Sequence, residues 1–242
     1  MFRHQGKTRT LNHNKKIASL LSFVAGMVNV ASFLSVNILT TNVTGHFAFF
    51  VDEVFKLKLT DSIIYFLFIF AFFLGSFVSS FLAESLSKKS DKHIYLLPVL
   101  IESCILLLIA WQGENLIPQY ANGIALCLLF AMGIQNSLVT RISDALVRTT
   151  HLTGLFTDLG IELSQLFFYK TFTQRIRLLS SIKLRLRIIV WFFLGGIFGG
   201  VFYAPFQLHI LFVPALLLLF GLFYDALKYK VLSWRRAKIQ AN

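Results

Sequence analysis

Long uninterrupted apolar runs alternate with short polar stretches along this chain, and the runs set its elements. Six are long enough for a helix to cross a hydrocarbon core about 30 Å thick, which takes about 20 residues. They cover Ile17–Leu39, Ile63–Leu86, Ile94–Trp111, Tyr120–Thr140, Ile188–Pro205 and Leu208–Leu227. None shows the apolar-polar alternation of barrel strands, so the spacing predicts helices. Two shorter apolar segments, Val43–Leu57 and Leu152–Phe168, each follow a Thr-rich stretch and carry acids. Counting them as spans would give eight helices and put the Lys88–Lys92 cluster outside, which weakens the charge bias between the two sides.

The pattern occurs twice. Gly26, Asn29, Thr40-Thr41, Thr44-Gly45 and Phe72-Phe73-Leu74-Gly75 return in order as Gly133, Asn136, Thr149-Thr150, Thr153-Gly154 and Phe192-Phe193-Leu194-Gly195. His93-Ile94…Pro98 returns as His209-Ile210…Pro214. Such self-similarity marks a duplicated unit. With three spans per half, the second half enters the membrane from the opposite side, so the expectation is an all-α integral membrane protein of six transmembrane helices in two inverted-topology three-helix repeats. Residues 17–116 form the first repeat and 117–228 the second, which includes a basic cytoplasmic loop at 141–187. Residues 1–16 and 229–242 are tails. The repeat also argues against a cleaved signal peptide at the first run, because Gly26 and Asn29 have counterparts deep in the chain.

Composition agrees with a membrane setting: 56% of the 242 residues are hydrophobic and the mean hydropathy is +0.71. The net charge of +12 resembles a nucleic-acid footprint until its distribution is followed. With six spans, 21 of the 23 Lys and Arg residues fall on one side, which places both termini in the cytoplasm. Lipid is therefore the expected partner, with anionic headgroups at the cytoplasmic face, and no nucleic acid. The alternating basic and apolar residues of Gln174–Arg187 fit a solvated loop or a helix on that lipid surface.

Candidate chemistry concentrates in the repeated motifs. Thr41, Thr44, Gly45 and their counterparts Thr150, Thr153, Gly154 precede short apolar segments, where Thr can cap free N–H groups and Gly permits close or unwound backbone. Tilted inward, such half-helix starts favour an anionic group; lying flat, they are capped interfacial helices. Asn29, Gln135 and Asn136 sit within spans, where amides bridge helices or line a cavity. Glu53, Asp158 and Glu162 follow the motifs, and Glu102 lies inside a complete span, at a position held by Leu218 in the second half. Carboxylates so placed are candidates for ion or proton coupling, with wet helix ends or structural hydrogen bonds as the alternatives. The small-x-x-x-small faces at Gly75/Ser79 and Gly195/Gly199 are expected to pack against each other. No catalytic signature occurs, no cofactor or metal is implied, and Cys104 and Cys127 lie mid-helix, so an enzyme is not expected.

Gly26-Met27-Val28-Asn29, Thr41-Asn42-Val43-Thr44-Gly45, Gly133-Ile134-Gln135-Asn136 and Arg148-Thr149-Thr150-His151-Leu152-Thr153-Gly154 together resemble the YoaK family of bacterial multi-pass membrane proteins. That resemblance implies an inner-membrane protein of about six spans and carries no substrate or reaction. The family often has an acid where Asn29 stands and Asn where His46 stands. The functional expectation is a transporter or permease of an unidentified small solute. The alternative is a non-transporting scaffold that binds a partner or lipid.

Overall fold

The structure, a computed structural model, describes residues 11–87, 95–143, 149–169 and 171–224, with side chains from residue 15 onward. The Lys88–Lys92 cluster, Arg148 and the C-terminal tail lie outside the described residues. All regular structure among them is helical: α1 (Leu11–Val36), α2 (Val43–Phe55), α3 (Leu59–Ser87), α4 (Leu96–Ile142), α5 (Leu152–Phe168) and α6 (Phe172–Phe206). A 3-10 turn (Gln207–Leu211) then leads into α7 (212–224).

Four helical stretches are long and apolar enough to cross a membrane: Lys15–Val36, Leu59–Ser87, Leu96–Ile142 and Phe172–Tyr224. The last two have 47 and 53 residues, which at 1.5 Å per residue is about 70–80 Å of helix, more than twice a hydrocarbon core. The first is broken near its middle and the second about two thirds of the way along. In α4 the break is at Tyr120 (φ −133°, ψ 31°), two residues after Pro118, whose ring cannot continue the hydrogen-bond ladder. In the other, Pro205 precedes Gln207, which holds the left-handed φ of 48° where the 3-10 turn begins.

The glycine motifs join the helices in a crossed pattern. A Cβ at Gly26 of α1 would overlap the Phe192 carbonyl of α6, and one at Gly195 of α6 would overlap the Phe23 carbonyl of α1. The same reciprocal contact occurs between α3 and α4: Gly75 lies under the Phe130 carbonyl and Gly133 under the Phe72 carbonyl. Ser76 adds a 3.1 Å hydrogen bond to the Gly133 carbonyl. By the repeat offsets, Phe23 corresponds to Phe130 and Phe192 to Phe72, so one contact is built twice. The expectation that the Gly75 and Gly195 faces meet each other is corrected. Each meets the glycine-bearing first helix of the other half, Gly195 on the helix of Gly26 and Gly75 on the helix of Gly133, where missing side chains on both helices let backbone carbonyls make the contact.

Helix α1 is the centre of the core, with Ile17, Leu21, Val24, Val28 and Ala31 fully buried. Helix α3 instead turns outward a ladder of exposed Phe66, Phe70, Phe73, Phe77 and Phe81, with successive rings about one helical turn apart. An apolar face of that extent belongs against lipid. The segment 174–187, expected as a loop or a surface helix, is the first half of α6 and runs without interruption into the apolar part.

Candidate functional site

Both Thr-Gly motifs sit where a long buried helix hands over to a short one. After α1 ends, Asn37 takes the left-handed φ of 58° that closes a helix C-terminus. The chain then turns back, so that the Thr41 amide and hydroxyl both donate to Asn29 Oδ1, at 3.1 and 2.9 Å. In the second half Thr150 Oγ1 donates to Asn136 Oδ1 at 2.8 Å. The duplicated Asn and Thr therefore form one device twice, an amide inside a buried helix holding the start of a short helix against it. Beside each contact a buried threonine, Thr40 or Thr149, has a hydroxyl without a hydrogen-bond partner.

The short helices start on the residue after the paired threonine's neighbour. Asn42 caps α2, with Oδ1 accepting from the Gly45 amide and from Thr44 Oγ1, both at 3.1 Å. A Cβ on Gly45 would meet the Asn42 side chain, 2.5 Å from its Nδ2, so the capping amide would have to shift. His151 takes the same place before α5, and its imidazole lies over Gly154, where a Cβ would overlap the ring. Thr44 and Thr153 are exposed, and Thr153 contributes only its carbonyl, to Thr157 Oγ1.

His46 is buried under Tyr65 and Phe68, and its Nε2 donates to the Leu39 carbonyl at 2.9 Å. Burial pulls the imidazole below its ordinary pKa, and the backbone bond only partly offsets this. A cavity of about 170 Å³ opens beside it, walled by Asn37, Asn42, Phe49 and Tyr65. That is room for a few water molecules.

The acids are distributed rather than gathered. Glu53 is paired with Lys56 and Lys58 at the α2–α3 turn, and Asp52 with Lys56. On α5, Asp158 and Glu162 share Arg185 of α6, at 2.7 and 2.9 Å, and Ser181 donates to Glu162 Oε1 at 2.6 Å. Glu102 is fully buried with neither carboxylate oxygen partnered. Gln135 Nε2 donates to the Leu21 carbonyl at 2.7 Å and ties α4 to α1, while its Oε1 has no partner. Sequence spacing could not foresee Arg185 as the partner of both α5 acids, because it lies 23 and 27 residues away. Nor did it single out Glu114, whose Oε2 accepts the Leu208 amide at 3.3 Å and anchors the 3-10 turn.

This arrangement coincides with a family model described as protein of unknown function (DUF1275), which matches residues 17–224. The chain belongs to the DUF1275 family. The match takes in both Asn–Thr contacts and both crossed glycine contacts, so they lie within the family's shared extent. No curated protein and no solved structure matches this DUF1275 member.

Proposed function

We propose that this protein is a six-crossing inner-membrane transporter of a small solute, built from two inverted three-helix halves with both termini cytoplasmic. The breaks at Tyr120 and Gln207 support six crossings: the first divides the 47 residues of Leu96–Ile142 into two near-equal lengths that can each cross, and the second separates α7 from α6 where the chain can turn back. The observation that carries the reading is the paired device: Asn29 with Thr41, and Asn136 with Thr150, each positioning the N-terminus of a short helix. Inverted repeats with half-helices at equivalent places are a recurring transporter design, because two equivalent arms can exchange roles as access alternates. The free N–H groups at the starts of α2 and α5 favour an anionic group on the solute. In this reading Thr41, Thr44, Gly45, Thr150, Thr153 and Gly154 shape the site, and Asn29, Gln135 and Asn136 line it. Glu102 couples transport to protons or cations, with Glu53, Asp158 and Glu162 as charged neighbours of the moving arms.

The test is uptake into proteoliposomes under an imposed pH gradient, with Glu102→Gln and Glu162→Gln as controls. Accumulation that collapses in at least one variant supports the reading, and accumulation untouched by both overturns the coupling roles. Single cysteines at positions 42 and 151, in a chain with Cys104 and Cys127 replaced, should label from opposite faces; labelling from one face alone contradicts the inverted arrangement. A second reading, a non-transporting scaffold, draws on the dry glycine-to-carbonyl packing between halves, and predicts no uptake of any solute.

A further inference from the structure

Three helices leave a groove of about 500 Å³ between them on the side where α1 begins, α6 enters its apolar half and α7 reaches Tyr224. Each helix gives it a stripe with one-turn spacing: Lys16, Ser19 and Phe23 from α1, Arg187 and Trp191 from α6, Gly221 and Tyr224 from α7. The stripes run in register, with their polar members at the same end. Lys16, Ser19, Arg187 and Tyr224 line one end, while Phe23 and Leu217 lie about 10 Å further along, seven residues of helix from Lys16 and Tyr224, and Trp191 lies about 6 Å from Arg187, one turn along. Arg187 reaches across to α1, its Nη1 donating to Ser19 Oγ at 3.4 Å, so the guanidinium and the Lys16 stripe face one space. Among the described residues no carboxylate pairs with either cation. Below them Trp191 presents its edge to Phe23, ring centroids 6.0 Å apart and planes at 76°.

From this we infer that the groove is a binding site for one anionic phospholipid, the headgroup phosphate held between Lys16 and Arg187 and an acyl chain laid along Phe23 and Trp191. Two cations over an apolar slot open to the bilayer fit a molecule that is anionic at one end and hydrocarbon for the rest. Basic pockets between membrane helices on the cytoplasmic side recognise such headgroups. The C-terminal tail is a poor occupant, since Lys228, Lys230, Arg235, Arg236 and Lys238 would be repelled by the same two cations. The site is also an addition to the repeat. By the offsets that align the glycines, Lys16, Ser19, Arg187 and Trp191 correspond to Gly123, Leu126, Leu67 and Ala71, which carry neither charge nor a ring. One side of the protein therefore grips lipid where the other does not, whether or not the protein transports a solute.

Trp191 supplies the probe. In the full chain carrying Trp111→Phe and Trp234→Phe, reconstituted in phosphatidylcholine, small fractions of chain-brominated phosphatidylglycerol should quench Trp191 far beyond their share of the bilayer. Two cations at about 1 kcal/mol each correspond to an about thirty-fold preference over the zwitterionic lipid. Lys16→Gln with Arg187→Gln should return quenching to the bulk proportion, with no change when brominated phosphatidylcholine is the quencher. Arg175→Gln with Arg177→Gln, on the exposed start of α6 away from the groove, should leave the preference intact. Equal quenching by both lipids in the parent chain overturns the proposal. So does an equal loss of preference in the two double variants, which would assign the effect to diffuse surface charge.

Discussion

A methyl group at Gly133 would collide with the Phe72 carbonyl oxygen, and one at Gly26 with that of Phe192. Neither oxygen can retreat, because each belongs to backbone inside a helix. Gly26→Ala, Gly75→Ala, Gly133→Ala and Gly195→Ala should therefore each force a helix pair apart. The expected cost is about 1–3 kcal/mol or more, read as lost thermal stability of the detergent-purified protein. Gly160→Ala is the internal contrast: nothing lies within 4 Å of the place a Cβ would take there, so the better helix former should gain up to about 1 kcal/mol. Asn29 makes a second prediction. Both bonds from Thr41 use Oδ1 as acceptor, so Asn29→Asp keeps them while Asn29→Ala leaves two donors to find water. Melting temperature should fall in the alanine variant by an amount matching about 1–2 kcal/mol and stay nearer the parent in the aspartate variant. The roles of Asn and Gly as packing residues were legible in the sequence, since polar amides and glycines in apolar spans have few other uses. Their partners were not, because a glycine stripe says that something comes close without saying what.

At the level of elements, α5 is held to α6 by Arg185 between Asp158 and Glu162. Glu162 is only 13% exposed and Asp158 50%, so solvent screens the Asp158 pair and the Glu162 pair does most of the holding. Arg185→Gln should cost about 1 kcal/mol, and a double-mutant cycle with Glu162→Gln should show the coupling vanish once either partner is gone. The check is thermal stability together with protease sensitivity around residue 169, where loosening of α5 should expose the connection to α6. Both short helices were legible as capped apolar segments after the threonines, though the residues at the cap positions are Asn42 and His151 rather than the threonines. The start of α6 was legible only as one of two alternatives, a solvated loop or a surface helix. Its alternating basic and apolar residues mask a buried face, Leu178, Ile182 and Ile189, that emerges only at helical spacing. The apolar runs pointed to long helices and already parted at 112–119 and 206–207, and the backbone breaks at Tyr120 and Gln207 fall at those places.

For the molecule as a whole, the duplication is visible in packing as well as in sequence, and Glu102 is where the buried interiors of the two halves differ by a charge-bearing group. Glu102 and its counterpart Leu218 are both fully buried, so neither side chain reaches solvent. Leu218 is satisfied by contact alone, whereas Glu102 leaves two oxygens without partners. A buried polar group without a hydrogen bond costs about 1–3 kcal/mol, and a fold that carries such a cost without structural return has a use for the group. Glu102→Leu places the other half's solution in this half and removes the unpartnered oxygens, while Glu102→Gln keeps the shape and the polarity but cannot ionise. If Glu102 serves coupling, the leucine variant should melt higher than the parent by an amount matching about 1–3 kcal/mol, and both variants should lose gradient-driven accumulation. A leucine variant that melts lower would mean that water or a helix dipole already satisfies the carboxyl, making it a structural group. A leucine variant that is more stable and still accumulates solute would remove Glu102 from the mechanism and leave the paired short helices to account for it alone.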